Sequence, residues 1–292
     1  MTLTRLAPAK VNLFLHVAAP DARGYHPLQS LVMFADIGDK VSLVETYGSL
    51  VNLSPKLNLS GCFAEGLEAG EGNLILKAVR AFEAATGRRV DRHDIHLEKR
   101  LPVASGLGGG SADAGAVLHL LREAYAPDMA DDDLSAIAAK TGADGVMCLW
   151  ARSALAQGYG ERLTWVSAPA VPAVLVNPGV ECATRAVYQG LDETGDFSAL
   201  DAVPEDIVNI EQLTARLAVT RNDLQAPATA LQPVIADVLR DLAAQPETLF
   251  TRMSGSGATC FALCAGDAEA RALGGRIQGL WPAAWVAPCR LG

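Results

Sequence analysis

Pro102-Val103-Ala104-Ser105-Gly106-Leu107-Gly108-Gly109-Gly110-Ser111-Ala112-Asp113 decides how this chain is read, because it joins a predicted strand, Asp94 to Lys99, to a predicted helix, Ser111 to Tyr125. Four of the five residues from 106 to 110 are glycine. Glycine is costly to order, but it lets the backbone take φ > 0 and approach a ligand closely. The helix that follows offers unpaired N–H groups and a positive dipole end, so phosphate is the natural guest. The bland alternative, a flexible surface loop, gives the glycines no use at a strand-to-helix junction. A Walker A loop is excluded, since its Gly-Lys-Ser/Thr ending is missing and no Gly-Lys pair occurs anywhere. Gly106-x-Gly108-x-x-Ser111 resembles a dinucleotide fingerprint, yet the helix runs on to a second predicted helix, Asp131 to Lys140, where a Rossmann unit needs a parallel strand.

On the N-terminal side the chain is β-rich. Residues 9 to 17 alternate, with Val11, Leu13, Leu15 and Val17 on one side and Lys10, Asn12, Phe14 and His16 on the other, the period of a half-buried strand. Asp21 to Pro27 reads as a turn, and Leu28 to Phe34 and Lys40 to Glu45 as two further strands. Asn73 is placed to cap a helix with Leu74, Ile75, Ala78, Val79 and Phe82 at helical spacing, ending near Gly87. Beyond residue 170 the reading is a strand at Val171 to Val176, helices around 185–191, 205–217 and 229–244, and strands at Leu249 to Met253 and Thr259 to Cys264. A helix at Asp267 to Gln278 and a strand at Ala284 to Pro288 complete an α+β layer.

The chain's 292 residues, 50% hydrophobic and 20% charged, predict two domains with substantial cores. No run approaches the roughly 20 apolar residues of a membrane span, and the first residues lack a basic region feeding an apolar segment, so a cytoplasmic protein is expected. A net charge of −9 argues against nucleic acid as a partner, though not against one local phosphate pocket. The six cysteines include no C-x-x-C pair, so neither a disulfide framework nor a zinc site is expected. His93-x-x-His96 straddles both faces of a predicted strand and has no third ligand, so no metal site is assigned.

The glycine stretch looks like the second sequence motif of the GHMP kinase superfamily. Pro8-Ala9-Lys10-Val11-Asn12-Leu13-Phe14-Leu15 resembles the first motif, and Met253-Ser254-Gly255-Ser256-Gly257-Ala258-Thr259-Cys260-Phe261 the third. Within the superfamily, four segments are similar to the subgroup whose acceptor is a cytidylyl-diphosphate methylerythritol. They are Arg23-Gly24-Tyr25-His26-x-Leu28-Gln29-Ser30, Thr141-Gly142-Ala143-Asp144, Asn177-Pro178-Gly179 and Arg221-Asn222-Asp223-Leu224. The resemblance runs end to end. It implies an α+β two-domain GHMP kinase fold, with an N-terminal ATP-binding domain at 1–165 and a ferredoxin-like C-terminal domain at 166–292, and substrates in the cleft between them.

The chemistry implied is transfer of the ATP γ-phosphoryl group to the acceptor's 2-hydroxyl, in the non-mevalonate route to isoprenoids. Residues 102 to 112 would wrap the ATP phosphates, with Ser111 near a phosphate or magnesium, and magnesium would enter only with ATP. Asp144 is the expected base and Lys10 the cation that stabilises alkoxide and moving phosphoryl. Without the resemblance, Asp144 would read as a helix-end residue and Lys10 as a solvated one. Asn12 is expected on the substrate's polar groups, His26 in hydrogen bonds to the cytosine, and Tyr25 or Tyr188 stacked on it. The expected partners are ATP and the small cytidylyl substrate, with no nucleic acid or membrane, for a monomer or weak homodimer. Another GHMP kinase, of homoserine or mevalonate type, and a nucleotide-binding protein without turnover remain as alternatives.

Four residues depart from the pattern. Gly145-Val146 stands where Val-Pro is usual, and is expected to loosen the loop that aims Asp144. Ala112 replaces a frequent serine, and Gly115 a frequent alanine.

Overall fold

The computed structural model describes residues 2–46, 55–203 and 205–292. In chain order its elements are β1 (Thr2–Asn12), β2 (His16–Val17), β3 (Leu28–Glu45), β4 (Leu57–Ser60), α1 (Leu74–Thr86), β5 (His93–Glu98), α2 (Gly109–Tyr125) and α3 (Asp131–Ala138). A 3-10 turn (Ala139–Thr141) leads into α4 (Gly145–Trp150), β6 (Ala154–Gly158), β7 (Arg162–Trp165) and β8 (Val171–Asn177). The rest is α5 (Thr184–Thr194), α6 (Ile210–Ala218), α7 (Gln225–Leu231), α8 (Val234–Ala243), β9 (Phe250–Met253), β10 (Cys260–Leu263), α9 (Asp267–Leu280) and β11 (Trp285–Leu291). The described chain forms two compact units that interleave along the sequence. The first takes the chain up to Ala9, Ile37–Leu101 and Gly108–Ala151; the second takes Lys10–Asp36, Pro102–Leu107 and Arg152–Gly292. The last crossing, at 151/152, is the one nearest the boundary expected at 165.

In the first unit the far half of β3 pairs antiparallel with β5, Lys40 opposite Glu98, and β4 lies parallel on β5. Helices α1 and α2 supply the core, with Ile75, Phe82, Val117 and Leu121 buried. Asn73 caps α1 by accepting the Ile75 N–H, and Gly87 ends it in the left-handed conformation at φ 67°. The two strands read at 28–34 and 40–45 are one continuous strand. Asp36, Gly38 and Asp39 break the apolar pattern there for tertiary reasons: a side chain on Gly38 would overlap the Ala7 carbonyl, and the Asp39 carboxylate is fully buried on backbone N–H groups.

In the second unit β8, the helices, β9, β10, α9 and β11 follow the βαββαβ order, and the antiparallel sheet runs β11-β8-β10-β9. That is the ferredoxin-like arrangement. Its core gathers Val174, Val187, Leu191, Val238, Leu242, Cys260, Leu273 and Ile277. The near half of β3 pairs with β2 and β6, and β6 with β7. Two expectations change here. The helix read at 229–244 is two helices, because Pro233 removes a ladder donor between them. The strand read at 9–17 starts at Thr2, breaks after Asn12, and is covered on both faces, with Lys10, Asn12 and His16 all under 10% exposed.

Candidate functional site

Three segments far apart in sequence meet in the second unit. The Lys10 N–H donates to Leu107 O at 2.8 Å, the Thr259 N–H to Ser105 O at 3.1 Å, and the Ser254 hydroxyl to Gly106 O at 3.1 Å. The fit is at backbone contact. A Cβ on Gly106 would overlap Ser254 O and stand 3.0 Å from Gly257 O, and one on Gly255 would stand 3.1 Å from Gly106 O and 3.3 Å from Asn12 Oδ1. Both glycines also take positive φ, 77° and 57°, which side-chain-bearing residues adopt only at a cost.

A buried chain of hydrogen bonds orients the polar groups at this meeting point. The Ser30 hydroxyl donates to Phe14 O at 2.6 Å, so its oxygen is left to accept from Asn12 Nδ2 at 2.7 Å. That fixes the Asn12 amide with Oδ1 toward Lys10, whose ammonium donates to it at 3.1 Å. The Asn12 N–H meanwhile donates to Ser254 Oγ at 3.1 Å. Lys10 and Asn12 share a face, as their parity in the sequence requires. The Asn222 amide steadies the third segment by donating to Met253 O at 2.9 Å and Gly255 O at 2.8 Å. Asp223 accepts the Val17 N–H at 2.6 Å, so Arg221-Asn222-Asp223-Leu224 serves here as framework.

The loop after Pro102 has left-handed residues at every second position: Ala104 at φ 50°, Gly106 at 77° and Gly108 at 63°. For Ala104 that costs about 1–2 kcal/mol. Alternation of this kind curls the backbone and turns successive N–H groups inward, as in an anion-binding nest. Gly108 caps α2 without a side chain, and the first turn of α2 carries no acidic residue, in contrast to the three aspartates that open α3. The side chains of Pro102, Ser105, Leu107 and Ala112 are buried, while Val103, Ala104 and Gly110 are exposed and Ser111 is half-buried. Most of this segment therefore has only its backbone to offer at the surface.

The turn at 21–27 presents an aromatic group in the second unit. Asp21 accepts the N–H groups of Arg23 and Tyr25 at 2.9 and 3.0 Å and the Tyr159 hydroxyl at 2.7 Å; bonded first by Tyr159 and then by Tyr25, its carboxyl is held well below the usual range. Tyr25 is 64% exposed, edge-on to Tyr159 at 6.1 Å. The His26 ring lies 5.3 Å from Tyr188 and 5.8 Å from Phe197. Its Nδ1 faces Ala18 O at 2.9 Å and its Nε2 faces Asp192 at 3.2 Å, so both ring nitrogens already have polar neighbours.

Asp144 belongs to the first unit. It stands at the N-cap of α4 in αR geometry, with no side-chain cap bond, and its carbonyl accepts Cys148 N–H at 2.9 Å. Gly145 sits where the chain passes close to itself. A Cβ there would overlap Ala138 O and stand 2.8 Å from Thr141 Oγ1, so the missing side chain is what lets α4 begin where it does. His93 and His96 are in structural contacts, Nδ1 of His93 with the Tyr125 hydroxyl at 2.8 Å and Nε2 of His96 with Asn58 at 3.3 Å.

Sequence reasoning missed a charged cluster in the first unit. Lys99 donates to Asp39 and, at 3.0 Å, to Asp113, with all three side chains buried. Burial alone would push the Lys99 ammonium down, but the charges of Asp113 and Asp39 overrule it and raise it. Burial pushes Asp113 up; Lys99 pulls it back and the Asp39 charge raises it again, leaving it at about 7. Ser30, Tyr159 and Asp192 were also missed as neighbours of the predicted residues. Of these only Ser30 had a signal, as the last residue of a recognised segment.

Comparison with known proteins follows the same lines. Residues 73–152 match the GHMP kinases N terminal domain and residues 197–283 the GHMP kinases C terminal family. The chain is 51% identical, over 100% of its length and 99% of the relative's, to a protein of Caulobacter sp. (strain K31) named 4-diphosphocytidyl-2-C-methyl-D-erythritol kinase. A crystal structure of 4-(cytidine 5'-diphospho)-2C-methyl-D-erythritol kinase superposes with a TM-score of 0.78 at 33% identity, covering 99% of both chains. A homoserine kinase from Cytophaga hutchinsonii shares the fold at a TM-score of 0.72 and 18% identity, over 99% of this chain and 94% of that one. With its three glycine-bearing and lysine-bearing motifs joined as described, the chain belongs to the 4-diphosphocytidyl-2-C-methyl-D-erythritol kinase family of the GHMP kinases.

Proposed function

We propose that the chain transfers the γ-phosphoryl group of ATP to the 2-hydroxyl of 4-diphosphocytidyl-2-C-methyl-D-erythritol, giving ADP and the 2-phosphate for isoprenoid precursor synthesis. The observation that carries this reading is the oriented chain Phe14 O, Ser30, Asn12, Lys10, set against the glycine-rich segments at 106 and 254–257. The N–H groups of the curled loop and of the first turn of α2 would receive the nucleotide phosphates. Magnesium enters as part of the nucleotide complex, with the Ser111 hydroxyl the chain's oxygen donor at the helix start.

The chain's own part in the reaction is positioning and charge. Lys10, held by Asn12, lowers the cost of alkoxide at the accepting oxygen, and Asp144 takes its proton. Tyr25 and Tyr188 supply aromatic faces for the cytosine, and His26 hydrogen-bonds it, Nε2 exchanging the half-exposed Asp192 for the base. The test is ADP release from magnesium-ATP by the purified protein, with the cytidylyl substrate, homoserine and mevalonate as separate acceptors. Release with the cytidylyl substrate alone is expected; silence with all three despite ATP binding defeats the reading. Asp144→Ala is expected to bind both substrates and lose most turnover, and near-normal turnover in that variant rejects the base assignment.

A further inference from the structure

The eleven residues from Pro102 to Ala112 are bracketed by one buried ion cluster. On the incoming side, Asp39 of β3 accepts through Oδ1 the backbone N–H groups of Arg100 at 2.6 Å and Leu101 at 2.8 Å, while its Oδ2 takes the Lys99 ammonium. On the outgoing side the same ammonium donates to Asp113 Oδ2 at 3.0 Å. Residues 99, 100 and 101 are thereby tied to the Asp39 carboxylate, and residue 113 is tied to it through the Lys99 ammonium. Side-chain exposures of 0% for Asp39, 4% for Lys99 and 5% for Asp113 keep water from competing. The helix start rests on the cluster, since a Cβ on Gly109 would stand 2.9 Å from Lys99 Nζ and 3.4 Å from Asp39 Oδ2.

Stability does not explain this arrangement. Buried ion pairs are commonly matched or bettered by apolar residues of the same size, and here one oxygen, Asp113 Oδ1, is buried without a partner. What the cluster does supply is closure. Joining the ends of an eleven-residue loop costs chain entropy, and the cluster meets that cost before any ligand arrives. It also sets the height of the N–H groups at 109–111 against the end of β5.

We infer that Asp39, Lys99 and Asp113 are positioning residues for the nucleotide: by locking both feet of the glycine-rich loop they set ATP affinity without touching ATP. This rests on the loop being the phosphate site proposed above, and the test separates the two. In the full chain, Lys99→Met/Asp113→Leu replaces the ion pair by apolar side chains of similar volume and leaves Asp39 on its two N–H groups. Amide hydrogen exchange without ligands, thermal melting, and KM for ATP and for the cytidylyl substrate are then measured. Expected are a melting temperature below wild type, because the buried Asp39 carboxylate loses its cation, exchange in residues 104–111 faster by about tenfold, ATP KM raised about tenfold and acceptor KM within about twofold. Asp113→Leu alone, which keeps the Lys99–Asp39 pair, serves if the double variant does not fold and is expected to shift the same quantities in the same direction. Asp113→Asn, which keeps an acceptor oxygen for Lys99, is expected to restore wild-type ATP KM. A folded variant with unchanged loop exchange and ATP KM overturns the inference, as does an equal rise in both KM values. A wild-type protein that releases no ADP defeats the reaction, and loop exchange then decides the cluster's role alone.

Discussion

Replacing Gly145 by alanine is expected to destabilise the first unit, although alanine is the better helix former. At the first residue of α4 the added methyl would overlap the Ala138 carbonyl and stand 2.8 Å from Thr141 Oγ1, itself bonded to Ala138 O at 2.7 Å. Neither neighbour is the loose end of a long side chain, so backbone must move. Overpacking of that kind costs about 1–3 kcal/mol, against the roughly 1 kcal/mol that alanine gains over glycine in a helix, leaving a net loss of up to about 2 kcal/mol. Gly275 provides the opposite case within the same protein. It lies in α9 with nothing within 4 Å of a built Cβ, so Gly275→Ala is expected to stabilise by about 0.5–1 kcal/mol. Thermal melting of the two variants beside wild type gives the answer, with Gly145→Ala lower by a few degrees and Gly275→Ala unchanged or higher; about 1 kcal/mol moves a chain of this size by roughly 2–4 °C. Because Asp144 directly precedes the displaced residue, Gly145→Ala should also lose turnover while keeping both KM values. If Gly145→Ala melts at or above wild type with full turnover, the close-approach reasoning is refuted.

Ser30→Ala removes the oxygen that forces Asn12 Oδ1 toward Lys10; kcat is expected to fall about tenfold with little change in ATP KM, read from steady-state ADP release, and Ser30→Thr should recover part of the loss. Asp113, lifted by burial from 3.8 to about 7, is protonated in both folded and unfolded chains below about pH 4; above that the unfolded chain releases its proton first, so its contribution to stability is lost as pH rises through about 7. The melting temperature of Asp113→Asn relative to wild type is therefore expected to rise from pH 4 to pH 7, and a constant difference across that range contradicts the raised pKa.

What was legible in the sequence was whatever local chemistry decides. Asn73 and Gly87 bound α1 because a cap and a left-handed terminus are choices made by single residues. The four C-terminal strands were found from short apolar runs between turn residues. The three motif segments were recognisable, but their joining was not, since the bond from Ser254 to Gly106 spans 148 positions. Where the reading failed, a distant partner had changed the meaning of a residue. Asp39 looks like a strand breaker until Arg100 and Leu101 bring two N–H groups to it, and Lys99 looks like a solvated strand end until Asp39 and Asp113 enclose it. The short strands β6 and β7 went unread because their pairing with β3 and with each other, rather than their own alternation, defines them.

Gly115 and Gly145, two of the departures from the motif pattern, have one explanation. A Cβ on Gly115 in α2 would stand 2.8 Å from Cys148 O and 2.9 Å from Leu149 Cα, both in α4; a Cβ on Gly145 would overlap Ala138 O, just before α4. The short helix is thus held on two sides by backbone against backbone, and neither side leaves room for a methyl group. Restoring alanine at 115 alone would press α4 toward the Ala138 turn, where Gly145 leaves room for no side chain but its own absence. The two substitutions are therefore expected to be non-additive, as neighbours sharing one packed element are, and a thermal-melting cycle of Gly115→Ala, Gly145→Ala and the double variant measures the coupling. A double variant that loses as much as the sum of the singles would mean that α4 responds to each contact independently, and that the start of the helix carrying Asp144 is fixed by the Thr141–Gly145 turn alone.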